Sequence, residues 1–273
     1  MLKLIRAAFA FLNIFSPKLG GRWALKLFLT PLRLKYNRKD KQLIGKGKSK
    51  TLIYKDLYIH YNEWGAGKVV ICVHGWSGKG PQFHAFVDVL VAAGYCVVTV
   101  DFPGHGRSDG KMTNVPEFAL VLEELLKLYP TCKTLLGHSI GGMVCILAAI
   151  KTENKIKKLV TICTPTLALN ISARFMGIVG ANERVHQSFI RAIEKQFKQS
   201  FKDFSAYLMA EQLVGKVDFL VVGDDTDPEV SVENTMLIQK STNAQLLITK
   251  GLGHNKPLRD PEVIERVVGF IRG

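Results

Sequence analysis

Residues 133–144 read "KTLLGHSIGGMV", a short apolar run followed by one serine, Ser139, set between Gly137 and Gly141 with Gly142 behind it. A turn in solvent would be served by Asn, Asp or Pro. Small residues two before and two after a hydroxyl instead leave room for a sharply bent backbone and for close approach of other atoms. A serine on such a strand-to-helix turn projects from the sheet at a helix N-terminus, where anionic charge is stabilised. The chemistry this suits is nucleophilic attack, given a base to take the hydroxyl proton.

Other reactive residue types recur at comparable places. His74-Gly75-Trp76, Asp101 with the following "PGHG" and His254 each end an apolar run, and Asp224, Asp225 and Asp227 cluster at the end of another. In an open parallel sheet, ligands bind beyond the carboxyl ends of the strands. The coincidence of these groups at strand ends is a stronger signal than any one of them.

The elements that must position them follow from hydrophobic period. "TLIYKDLYIHYNEWG" alternates and predicts two short strands in a hairpin. "KVVICV", "YCVVTV", "CKTLLGHS", "IKKLVTICTP", "KVDFLVVGDD" and "AQLLITK" are continuous apolar runs, the pattern of strands buried on both faces. Helices are predicted over 81–93, over 116–129, over "IGGMVCILAAI" and after the last two strands. Strand–helix alternation implies an α/β fold, a mainly parallel central sheet with helices on both faces. Residues 166–214 break the rhythm with a largely helical insertion, a short lid. Its Phe189, Ile193, Phe197, Phe201 and Phe204 recur at three- and four-residue steps. They read first as a core stripe and second as the lining of an apolar pocket.

The stretches "VVICVHGWSG", "VVTVDFPGHGRSDG", "LLGHSIGGMV", "LVVGDDTDPEV" and "KGLGHNKPLRDPEVIERVVGFI" resemble an α/β-hydrolase-fold serine hydrolase of the esterase and lysophospholipase-like kind. The resemblance spans about residues 51–165 and 215–273. It implies a catalytic triad in chain order Ser139, Asp227, His254, with His254 as general base and the carboxylate holding the imidazole. Asp225 and Asp224 stay open as alternative acids; those not used as the acid read as solvated loop charges. It also implies an oxyanion hole from the backbone N–H groups of Trp76 and Ile140, no cofactor and no metal. His74, Asp101, His105, Arg107 and His138 read as loop-holding residues. The implied activity is cleavage of a carboxylic ester through an acyl-serine. Thioesterase, lactonase, C–C bond hydrolase and cofactor-free perhydrolase chemistry can use the same triad, and a non-catalytic binder can use the same scaffold. A serine nucleophile weighs against epoxide hydrolase and dehalogenase chemistry.

The formal net charge of +14 is unevenly placed. Residues 1–50 hold 13 Lys/Arg against Asp40 alone, and residues 51–273 hold 24 basic against 22 acidic side chains. The domain boundary is therefore drawn at 50, with a basic N-terminal extension before it and the hydrolase domain over 51–273. Lys3, Arg6, Ala10 and Asn13 share one helical sector, and Leu2, Ile5, Phe9 and Leu12 lie opposite. The apolar run 7–15 would be ~14 Å long as a helix, too short for a hydrocarbon core of ~30 Å. Residues 1–40 thus suit either an anionic membrane surface or packing against the domain. A signal peptide ranks below both for want of a cleavage site, and nucleic acid is not expected. Five scattered cysteines argue for a reducing compartment. The expected location is cytoplasmic, peripheral at the inner face of the membrane, and the expected substrate a small-molecule or lipid ester.

Overall fold

The computed structural model describes residues 2–152 and 155–273. Three helices come first: α1 (Leu2–Phe15), α2 (Pro17–Phe28) and α3 (Arg38–Gly45). The hairpin β1 (Lys48–Tyr54) and β2 (Leu57–Trp64) precedes β3 (Lys68–Val73), α4 (His84–Ala92), β4 (Tyr95–Val100), α5 (Val115–Leu128), β5 (Thr134–His138), α6 (Ile140–Lys151) and β6 (Lys158–Ile162). The insertion supplies α7 (Ala168–Val179), α8 (Glu183–Phe197) and the short α9 (Ala206–Ala210). The chain then returns through β7 (Asp218–Asp224), α10 (Val232–Thr242), β8 (Gln245–Thr249) and α11 (Pro261–Arg272).

The eight strands form one sheet in the order β1-β2-β4-β3-β5-β6-β7-β8. β2 is antiparallel to β1 and β4, and every other pairing is parallel. β5 is buried along its whole length, and β3 everywhere after Lys68, because helices cover both faces. α5, α6, α9 and α10 pack on one face, and α3, α4 and α11 on the other. β8 departs from the expectation of full burial. Gln245 and Leu246 are exposed, since this strand is the sheet edge and has only β7 beside it.

The N-terminal helices pack on the insertion. Phe9 and Ala24 share one apolar core with Ala168, Met176, Val179, Val185, Phe189, Ile193 and Phe201. Phe28 meets the rings of Phe175 and Phe189 edge-on, at 5.2 Å between centroids in each case. α2 can lie this close to α8 because it has no side chain at the crossing. A Cβ on Gly21 would fall 2.6 Å from the Ser188 Cβ. Hydrogen bonds from Arg6 to the Ile178 carbonyl and from Asn13 to the Gly180 carbonyl, both 2.9 Å, tie α1 to the α7–α8 turn. α1, α2, α7 and α8 therefore make a helical cap with its own core, and the phenylalanines of the insertion are part of that core. Among the described residues, no helix is long and apolar enough to cross a membrane.

Candidate active site

Ser139 leaves β5 with φ 53° and ψ −127°, and α6 starts at the next residue. A side-chain-bearing residue rarely holds such angles. The glycines permit the bend by letting backbones touch. A Cβ on Gly137 would lie 2.6 Å from the Gly141 carbonyl oxygen, and one on Gly141 would lie 2.1 Å from that of Val73. The β3 end is equally close, because a Cβ on Gly75 would stand 2.8 Å from the Ser139 Cβ. The loop carrying His74, Gly75 and Trp76 thus abuts the serine. Neither the Trp76 nor the Ile140 N–H has an acceptor among the described residues. The α6 N-terminus adds its positive dipole end at the same place.

His254 stands on the loop after β8, buried, and donates Nδ1–H to Asp227 Oδ2 at 2.7 Å. This leaves Nε2 as the basic nitrogen. The other carboxylate oxygen of Asp227 accepts the N–H groups of Glu229 (2.7 Å) and Val230 (3.0 Å). Burial raises the carboxyl pKa of Asp227, but the bonds from His254, Val230 and Glu229 outweigh it and hold the group below its ordinary value. Ser139 Oγ has no hydrogen-bond partner among the described residues. The Ser139 turn and the His254 loop are joined one residue away, by His138 Nε2–H donating to the His254 carbonyl at 2.9 Å. Nucleophile–base bonds are commonly loose in unliganded enzymes and tighten on substrate binding.

The remaining aspartates separate clearly. Asp225 is exposed and accepts the Gly251 N–H at 3.0 Å. Asp224 is not the solvated charge that its neighbours suggest. It is 1% exposed and accepts the N–H groups of Thr226, Leu252 and Gly253 and the hydroxyls of Thr226 and Thr249. Burial opposes its ionisation, yet these donors hold its pKa far below the ordinary range. Asp224 therefore shapes the loop that carries His254. The register β7–β8 pairs Asp224 with Thr249, which brings that bond about.

His74, His105 and His138 serve as neutral staples. His74 accepts the Phe102 N–H at 3.2 Å and donates to the Gly75 carbonyl at 2.7 Å. His105 accepts the Ser77 N–H at 2.8 Å and donates to the Pro103 carbonyl at 3.0 Å. His138 accepts from Gln82 at 3.3 Å. Burial pushes the pKa of His74 and His138 down to about 4 and that of His105 to about 3. The Cys163 thiol, the Asp227 carboxylate and the His254 ring offer ligand atoms within 4.8 Å of one another. Burial and the adjacent Asp227 keep that thiol protonated, which makes the group a poor metal cage.

Residues with no motif also reach the site. The extended segment 30–37 lies along the loops after β3 and β4. The Leu32 N–H donates to Ser77 Oγ at 2.9 Å, and Arg33 Nη atoms donate to the carbonyls of Ser108 and Gly110, both at 2.7 Å. Tyr36 donates its hydroxyl to Asp101, whose carboxylate also accepts the N–H groups of Gly80 (2.8 Å) and Arg107 (2.9 Å). Lys79 pairs with Asp40 at the start of α3. In the sequence this segment is only part of the basic N-terminal stretch, and nothing in its period or spacing marks these contacts.

A strained serine at the end of β5, an Asp–His pair on the loops after β7 and β8, and N–H groups by the serine turn without an acceptor among the described residues define the α/β-hydrolase class. The chain belongs to that family: the alpha/beta hydrolase fold model matches residues 68–217. It is 28% identical over 149 residues to the pimeloyl-[acyl-carrier protein] methyl ester esterase of Vibrio parahaemolyticus, covering 54% of this chain and 55% of that one. It is 35% identical over 115 residues to a 2-hydroxy-6-oxononadienedioate/2-hydroxy-6-oxononatrienedioate hydrolase of Escherichia coli K12, covering 39% and 40%. The chain thus spans about half the length of the curated relatives it matches, or less. Among solved structures, the Pyrococcus furiosus esterase Pf2001 superposes with a TM-score of 0.68 at 21% identity, covering 89% of this chain and 96% of that one. A membrane phospholipase A superposes with a TM-score of 0.66 at 17% identity, covering all of this chain and 96% of the other, so that match in fold extends over the N-terminal helices.

Proposed function

We propose that the protein is a serine hydrolase that cleaves a carboxylic ester through an acyl-serine intermediate. His254 Nε2 takes the Ser139 proton as Oγ attacks the ester carbonyl carbon. The N–H groups of Trp76 and Ile140 receive the developing oxyanion. As the ester C–O bond breaks, His254 returns that proton to the leaving alcohol. Water then attacks the acyl-serine by the same route in reverse roles, releasing the carboxylic acid and restoring the serine. Asp227 fixes the imidazole tautomer and stabilises the imidazolium. The observation that carries this reading is the 2.7 Å bond between Asp227 and His254, joined through His138 to the strained Ser139. The ester named for the Vibrio parahaemolyticus relative supports the bond class.

A fluorophosphonate probe tests the nucleophile. Labelling of the wild type and none of Ser139→Ala is expected; labelling of the alanine variant would reject Ser139, and no labelling of either would favour a non-catalytic binder. A series of p-nitrophenyl esters compared with the matching thioesters separates esterase from thioesterase chemistry.

We further propose a lipid or lysolipid ester as substrate and a peripheral site at the inner, anionic membrane surface, contacted through residues 1–40. The basic charge of that segment supports this, as do the exposed apolar side chains on α1. Rates that rise with acyl length in the p-nitrophenyl series are expected; a preference for acetate would count against it.

A further inference from the structure

α1 is apolar on two faces, and only one is covered. Phe9 is fully buried in the cap core, with Ile5 and Leu12 half-buried beside it. This is the apolar sector that the helical wheel singles out, and it faces the protein. A third sector, past Lys3 and Arg6, carries a second apolar stripe: Leu4 (76% exposed), Phe11 (60%), Ile14 (71%) and Phe15 (68%). The Phe11 and Phe15 rings pack on each other with centroids 4.5 Å apart, a patch and not scattered single residues. A helix that is apolar all round is normally buried all round.

A basic groove begins at Pro17, two residues after Phe15 in the chain. It opens between α2 and α8 and is lined by Lys18 and Arg22 from the first and Arg184, Arg191 and Lys195 from the second. Glu183 is the one carboxylate on its wall. All five cations are exposed, and among the described residues none lies within 4.0 Å of a carboxylate. Three of the five come from the lid, so residues 1–40 do not hold the charged surface alone. An apolar stripe that can sink below the headgroups, beside unpaired cations that can meet phosphates, is complementary to an anionic bilayer and to no purely polar polyanion.

We infer that the anionic membrane surface docks on a composite of α1 and the lid helix α8, with Leu4, Phe11, Ile14 and Phe15 entering the lipid and Arg184, Arg191 and Lys195 holding phosphate headgroups. This rests on the membrane contact proposed above and adds the lid to it. Because α8 shares its core with α1 and α2, the membrane takes hold of the lid whenever it takes hold of the N-terminus.

Sedimentation of the full chain with phosphatidylcholine vesicles containing one-third phosphatidylglycerol tests this, with three proteins of matched thermal midpoint: wild type, Phe11→Ser/Ile14→Ser, and Arg184→Glu/Arg191→Glu/Lys195→Glu. Wild-type binding that falls on the order of 100-fold in the lid variant, and clearly in the α1 variant, is the expected result. Loss in the α1 variant with no change in the lid variant overturns the inference and leaves the membrane reading standing. Wild-type binding no stronger than to pure phosphatidylcholine removes both. Equal affinity for a single-stranded RNA, undiminished by Phe11→Ser/Ile14→Ser, overturns the choice of a membrane.

Discussion

His138 donates its Nε2–H to the carbonyl oxygen of His254 across 2.9 Å, although 116 positions separate them. One is the last residue of β5 and the other belongs to the loop after β8. In the proposed mechanism this bond fixes His254, as the base, relative to Ser139 without touching Nε2 of the one or Oγ of the other. On that reading His138 is a positioning residue, neutral because burial holds its pKa down at about 4. His138→Ala should lower kcat ~10- to 100-fold with little change in KM. His138→Gln, which keeps a donor, should recover part of that loss. Steady-state kinetics on a soluble ester decide it, and equal values for all three proteins would refute the role.

The three aspartates after β7 should respond differently to amide substitution. Asp227→Asn should cost ~10³- to 10⁴-fold in kcat, because the imidazole loses its tautomer-fixing acceptor. Asp225→Asn should be close to wild type. Asp224→Asn should lower stability by ~2–3 kcal/mol, through loss of charge-assisted bonds to a buried carboxylate. Kinetics and urea unfolding on the three variants separate these outcomes. A greater loss of kcat in Asp225→Asn than in Asp227→Asn would reassign the acid.

Stability should fall as the pH drops from about 6.5 toward 4. His74, His138 and His105 stay neutral in the fold to about 4, about 4 and about 3, whereas the unfolded chain binds protons near 6.5. The unfolded state therefore carries up to three more protons in this window, and the slope reaches ~4 kcal/mol per pH unit. Asp224 and Asp227 act with the same sign at lower pH. Their folded pKa values lie below the unfolded ones, so their contribution is present above about 4 and is lost as pH falls further. Urea midpoints at pH 7, 6, 5 and 4.5 would show this, and a flat profile would contradict it.

Segment 30–37 should matter to turnover. Tyr36→Phe leaves Asp101 with its Gly80 and Arg107 donors but removes the third, a loss of ~1–3 kcal/mol for a bond to a charged group. Arg33→Ala frees the carbonyls of Ser108 and Gly110. Both should reduce kcat on short esters, since Ser77 and Lys79 in the adjoining loop are held by the same segment. Both should also speed proteolysis within residues 30–37. Unchanged turnover with faster cleavage would limit the segment to a structural role.

Gly21→Val should loosen the cap while sparing the sheet. Its added atoms would meet Ser188 and the Phe189 backbone, and overpacking of this kind costs ~1–3 kcal/mol. Faster amide exchange in α2 and α8, with β3 and β5 unchanged, is the expected pattern. Uniform loss of protection would mean that the cap and the sheet unfold as one.

The chain order of elements, the parallel sheet and the serine turn were legible in the residues themselves. The apolar runs of β3, β4 and β5 are interior strands covered on both faces, so their period carries the signal directly. Gly137, Ser139 and Gly141 mark a turn whose requirements lie within five residues. The strand-end positions of His74, Asp101 and His254 followed from the same local logic. What the sequence could not decide were relations between distant segments. Asp224 reads as a loop charge until Thr249, Leu252 and Gly253 arrive from β8 and its loop to bury it. The wheel of α1 shows apolar residues on two sides, and only Val185, Phe189 and Ile193 of the lid settle which side is covered. Lys18 and Arg22 join Arg184, Arg191 and Lys195 in one groove because Gly21 lets two helices from opposite halves of the chain touch. Local period reports how a residue meets its own strand or helix. Hydrogen bonds and shared cores between residues far apart in sequence exist only once the chain has closed on itself.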